Sequence, residues 1–170
     1  CDQKGMVKYM NPSYFRIKLP MDQAVQRLCG VEGKAPKETI SCRSAKAVSH
    51  CIDEKKQWKG SCLFVYENKG WTVFEDLSGF YAGMPAKAWQ EFAQQEDFVA
   101  AGYNDAILYG ELVVITGGVV EKEFLDDWEM PEDNCNNGDK FPEIQEWTDA
   151  ADFVDNDDIL YAEQGTVLIF

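Results

Sequence analysis

The chain has 170 residues, 45% apolar and 13% aromatic, with 27% charged residues, 13 Gly and 6 Pro, which excludes a fibrous or disordered chain and fits one domain able to bury its own core. No uninterrupted apolar stretch approaches the ~20 residues that span a bilayer, so a membrane-embedded protein is excluded. The net charge of −14 argues against nucleic acid, whose phosphates need clustered Lys and Arg, and favours a basic partner.

Residues 1–13 read as an irregular N-terminal segment. Residues 14–19 alternate polar and apolar near their end, as a half-buried strand does. Pro20 opens a short helix with Ala24, Val25 and Leu28 on one stripe and Gly30 as its stop. Residues 31–43 read as irregular, and the spacing of Ala45, Val48, Cys51 and Ile52 predicts a second helix over 44–52. Residues 62–67 and 71–77 are aromatic and β-branched runs joined through Asn68-Lys69-Gly70, a hairpin pattern. Pro85 starts a helix whose buried stripe is Trp89, Phe92 and Ala93. Residues 107–116 and 119–125 flank Gly117-Gly118, the residue pair a two-residue turn with positive φ requires.

Residues 126–141 read as a long acidic loop, a length that in a compact domain is often functional. Pro142 begins a last helix with Ile144, Trp147, Ala151 and Val154 three or four apart, and residues 166–170 form a terminal strand. The predicted fold class is α+β: one domain over 1–170, a central antiparallel sheet with helices packed on it. Charge is uneven along this order. Residues 1–60 carry 12 Lys+Arg against 6 Asp+Glu, whereas residues 121–158 carry 2 against 15. That acidic third is either solubilising surface or a landing surface for a cationic protein.

Catalytic patterns are absent from the residues. His50 is the single histidine, and its neighbour Cys51 points in another direction on a helix or a strand. There is no Gly-x-Ser-x-Gly elbow, P-loop or dinucleotide fingerprint, so neither a catalytic set nor a cofactor is expected. The segment Asp155-Asn-Asp157-Asp158 resembles a calcium loop only superficially, because the required Gly and Glu are missing. Cysteines at 1, 29, 42, 51, 62 and 135 form no Cys-x-x-Cys pair, so reduced thiols without metal are expected. That expectation goes with a cytoplasmic location. Cys1 leaves a second one open, a lipid-anchored cell-envelope protein whose processed terminus is Cys. The five tryptophans also leave a carbohydrate or small-ligand site open, although Trp71, Trp89 and Trp147 lie on element patterns that suit core packing.

Trp128 lies between Asp127 and Glu129, inside the acidic loop. A large aromatic among carboxylates suits an interface anchor, or else the loop tucks back onto the core. The candidate binding set is Trp128 with Asp126, Asp127, Glu129, Glu132 and Asp133.

Four segments carry a resemblance: Gly-Trp-Thr-Val-Phe-Glu-Asp-Leu-Ser-Gly (70–79), Gly-Tyr-Asn-Asp (102–105), Tyr-Gly-Glu-Leu-Val-Val-Ile (109–115) and Trp-Thr-Asp-Ala-Ala-Asp-Phe-Val-Asp (147–155). Over about residues 58–170 the chain resembles small bacterial immunity proteins encoded beside polymorphic or contact-dependent inhibition toxins. The resemblance implies a non-enzymatic inhibitor that binds one cognate toxin domain, often a nuclease; separately, a monomer or weak dimer is expected. A nuclease binds a polyanion, so an acidic, aromatic-bearing surface is complementary to its active site.

Overall fold

The computed structural model describes residues 13–170, and the reading of Cys1 lies outside them. The first half of the chain forms β1 (Ser13–Ile17), α1 (Met21–Glu32), β2 (Glu38–Arg43), α2 (Ala47–Cys51), β3 (Cys62–Asn68), β4 (Trp71–Asp76) and α3 (Ala86–Ala93). It continues with β5 (Phe98–Asn104), β6 (Tyr109–Thr116), β7 (Val119–Asp127), β8 (Cys135–Asn137), α4 (Trp147–Asp155) and β9 (Gln164–Ile169). The nine strands form one sheet in the order β2-β9-β3-β4-β1-β5-β6-β7-β8, with every neighbouring pair antiparallel.

Both faces of the sheet centre are buried, so β3 reads as a near-continuous apolar run. β1, whose alternation predicts a half-buried strand, is instead buried on both faces from Tyr14 to Ile17. On one face Phe15, Phe74 and Phe98 join Ala24 and Leu28 of α1 and Trp89 and Phe92 of α3. Phe15 stacks on Phe74 at 4.7 Å between centroids and tilts against Trp89 at 4.8 Å. On the other, Phe64, Val73, Leu112 and Phe124 join Cys51 of α2 and Ala150 and Val154 of α4.

Both expected hairpins form. Asn68 pairs with Trp71 across Lys69-Gly70, and Thr116 pairs with Val119 across Gly117-Gly118. All four turn residues have positive φ, the geometry that matches strand twist in two-residue turns.

Several boundaries differ from the sequence reading. Ser13 already belongs to β1. The first helix runs through Gly30 and stops at Gly33, whose φ of +70° lets its N–H reach the Cys29 carbonyl. Residues 31–43 are not wholly irregular: they contain β2, an edge strand in which Ile40 and Cys42 alternate toward the core while the other residues are exposed. β5 was not expected, because Ala100, Ala101 and Gly102 are weak strand formers held there by neighbours on both sides. The last helix starts at Trp147, since Asp149 Oδ2 accepts the Glu146 N–H at 2.9 Å and sets the N-terminus there. Residues 126–141 are not one open loop. β7 continues to Asp127, a 3-10 turn covers Pro131–Asp133, and β8 returns to pair with β7. Among the described residues, no helix is long and apolar enough to cross a membrane.

Candidate functional site

Strand alternation puts Tyr109, Glu111 and Val113 of β6 on one face, opposite Asp127, Leu125 and Glu123 of β7 in that pairing order. The 82–85 segment crosses above them and leads into α3, while β8 and the preceding 3-10 turn close the outer side. Between these elements lies a cleft of about 600 Å³. Its charged lining residues are Glu111, Glu123, Asp127 and Asp133, and no Lys, Arg or His lines it. Met84, Ile107, Leu125 and Met130 supply apolar wall.

The two glutamates are held differently. Glu123 Oε2 accepts the Ala86 N–H at 2.6 Å, so a strand residue caps α3 where the helix dipole favours negative charge. Glu111, 8% exposed, accepts the Gly83 N–H and the Tyr109 hydroxyl, each at 2.7 Å. Gly83 has φ +77°, a left-handed conformation that turns its N–H inward. Both bonds fall on Oε2 of Glu111, and its side chain is part of the cleft lining. Burial raises the Glu111 carboxyl to about 7, with nearby Asp76 adding to the rise and the two hydrogen bonds opposing it. Burial also raises Asp76, against bonds from the Tyr81 and Gly79 N–H groups. Near neutral pH, Glu111 therefore exchanges between a proton donor and a carboxylate.

The sequence-predicted residues divide into three groups. Asp127 and Asp133 line the cleft, and Asp127 Oδ1 also accepts the Glu129 and Met130 N–H groups, which shapes the turn. Trp128, Glu129 and Glu132 are exposed on the outer corner. Trp128 is 74% exposed and does not tuck onto the core; its backbone N–H donates to the Leu108 carbonyl at 3.4 Å. Asp126 points to the opposite side of β7, where it accepts the Trp147 N–H at 2.8 Å and the Asn134 Nδ2 at 3.3 Å. It holds α4 and the 134 corner against the sheet.

Glu111 and Glu123 were missed by the sequence reading. For Glu111 a signal was present: it sits in phase with the buried Tyr109, Val113 and Ile115 of β6, where a carboxylate is costly. Glu123 is out of phase with the buried Lys122 and Phe124 of β7 and carries no such signal. The other sequence candidates have structural surroundings. Asp157 accepts from Tyr14 and Arg16, Asp158 pairs with Lys69, and Asp155 accepts from Tyr103. No three His, Cys, Asp or Glu side chains among the described residues converge as metal ligands would. Cys29, Cys42, Cys51, Cys62 and Cys135 are free, with Cys51 and Cys62 fully buried and Cys29 half-buried. Trp89 is a core residue, and Trp71 stacks under Arg16 at 4.1 Å. His50 is half-buried on α2. A shallower hollow of about 520 Å³ lies between α1 and β2, with an apolar wall that includes Val25 and Leu168. Neither hollow is lined by a tryptophan.

Compared with family models, curated proteins and solved structures, the chain matches none of them.

Proposed function

We propose that the protein binds a cationic protein partner through the cleft and the corner beside it, and that this partner is a bacterial toxin domain. The observation that carries the reading is the pairing of an uncompensated acidic cleft with exposed apolar groups at its edge. Four carboxylates line the cleft without a cation, while Met130 is half exposed and Trp128 more so. Scattered solubilising charge needs neither a cleft nor an exposed tryptophan. The net charge of −14 adds long-range attraction for a basic surface, which acts mainly on association rate.

The toxin assignment rests on the sequence resemblance, and a nuclease suits it because its substrate site must be electropositive. Inhibition by occupying that site requires no catalytic residue and no cofactor on this chain. The protein would then act in the cytoplasm, where such a nuclease meets its substrate. The carbohydrate alternative gains nothing from the two hollows, since no tryptophan lines either.

The test is co-expression with the toxin domain encoded beside the chain, together with stopped-flow association of the purified pair. Protection that is lost when Asp133, Glu129 and Glu132 are made neutral, with slower association and a flatter salt dependence, supports the reading. Unchanged protection and unchanged association at low salt would place the interface elsewhere.

A further inference from the structure

Among the described residues, none of the ion pairs uses Glu111, Glu123, Asp127 or Asp133. Asp133 is exposed and Asp127 half-buried, so solvent screens their charge. Glu111 has little water. It is buried, with one oxygen fixed by Gly83 and Tyr109, and it lines the cleft. A buried carboxylate without a cation is costly, so a cation delivered from outside gains more there than at an open surface.

The shape of the lining narrows the choice of cation. The carboxylates do not converge in threes, which a small divalent ion needs. They are spread along the cleft and interleaved with Met84, Ile107 and Met130. Thioether and aliphatic walls suit a methylene stem, and carboxylates suit the charged head it carries. A volume of about 600 Å³ exceeds one side chain and fits a side chain together with the loop that bears it. We infer that the cleft is a socket for a lysine or arginine side chain on a loop of the partner, with Glu111 at its floor as the countercharge. This inference rests on the cationic-partner reading and names the part of the partner that enters.

The test uses the full chain and four probes: acetyl-arginine amide, acetyl-lysine amide, the neutral acetyl-norleucine amide, and spermidine. Amide shifts of Gly83 and of residues 109–111 and 123–125 are followed by NMR for wild type, Glu111→Gln and Asp133→Asn. The expected result is that the arginine or lysine probe moves these resonances and the neutral probe does not. Glu111→Gln should weaken that binding about tenfold and Asp133→Asn about twofold; the second variant, at an exposed position, keeps the test decisive should the first fail to fold. Equal binding of the neutral probe, or unchanged affinity in both variants, overturns the socket. Spermidine binding tenfold tighter than either amino-acid amide would assign the cleft to a free polyamine and also overturn it. Partner affinity measured in parallel separates the two claims. A toxin domain that binds wild type and Glu111→Gln equally removes the socket and leaves the partner reading. Probes that bind while no cationic partner does remove the reading and leave the socket.

Discussion

Arg16 on β1 and Asp157 in the turn after α4 form an ion pair, Nε to Oδ2 at 3.0 Å, with side chains only 11% and 5% exposed. The same carboxylate oxygen accepts the Tyr14 hydroxyl at 2.5 Å, and the guanidinium lies 4.1 Å from the Trp71 ring centroid. Four residues from three parts of the chain thus secure the acidic turn to the sheet.

Asp157→Ala leaves Arg16 buried without its countercharge and should cost about 3–5 kcal/mol of stability, read from urea denaturation. Asp158→Ala removes a surface contact with Lys69 and should leave the midpoint unchanged. Equal effects of the two variants would show that the burial of the Arg16 pair has no energetic consequence.

Glu111 makes stability fall as pH rises toward neutrality. In the unfolded chain the group ionises near ~4.3, whereas the fold holds its proton to about 7. Between those values the folded state binds more protons than the unfolded state, so stability declines, and beyond them the contribution is flat. The total is about 4 kcal/mol at about 1.4 kcal/mol per pH unit. Asp76, Tyr109, Glu123 and Asp127 are the other titratable groups around this end of the sheet, and Asp76 shifts in the same direction. Glu111→Gln keeps an acceptor for Gly83 and Tyr109 and removes the titration. The variant should therefore gain on wild type by that amount from pH 4 to pH 8 in chemical denaturation, and parallel curves would refute the assignment.

Gly110 is where α4 rests on β6. A Cβ there would meet the Trp147 Cα at 2.7 Å, its carbonyl oxygen at 2.8 Å and the Ala150 Cβ at 3.0 Å. Two of these are backbone atoms that cannot rotate away. Gly110→Ala should cost about 1–3 kcal/mol by forcing the helix off the sheet. A thermal midpoint equal to wild type would contradict the packing of α4.

Trp128→Ala should separate binding from folding. The ring is largely exposed, so stability should change by no more than about 0.5 kcal/mol. Loss of an anchor that enters a dry pocket should raise the dissociation rate of the partner complex, costing about 2 kcal/mol, with little change in association. Surface plasmon resonance at two salt concentrations checks both rates.

The hairpins at Lys69-Gly70 and Gly117-Gly118, the helix opened by Pro85 and the apolar strands beside them were legible in the sequence. Each depends on local chemistry: positive φ at a turn, a fixed φ at a helix start, apolar residues in phase. The acidity of residues 121–158 and the isolation of Trp128 among carboxylates were equally legible, because charge and composition need no coordinates. The tertiary structure decided what lies beside what. β2 and β5 become strands only because β9, β1 and β6 offer them hydrogen-bond partners, a non-local pairing that periodicity does not encode. Asp126 and Asp127 are adjacent in sequence, yet the pleat sends one carboxylate to α4 and the other to the cleft. Glu111 becomes a buried group that titrates near neutrality only when the segment around Gly83, distant in sequence, folds over it and removes its water.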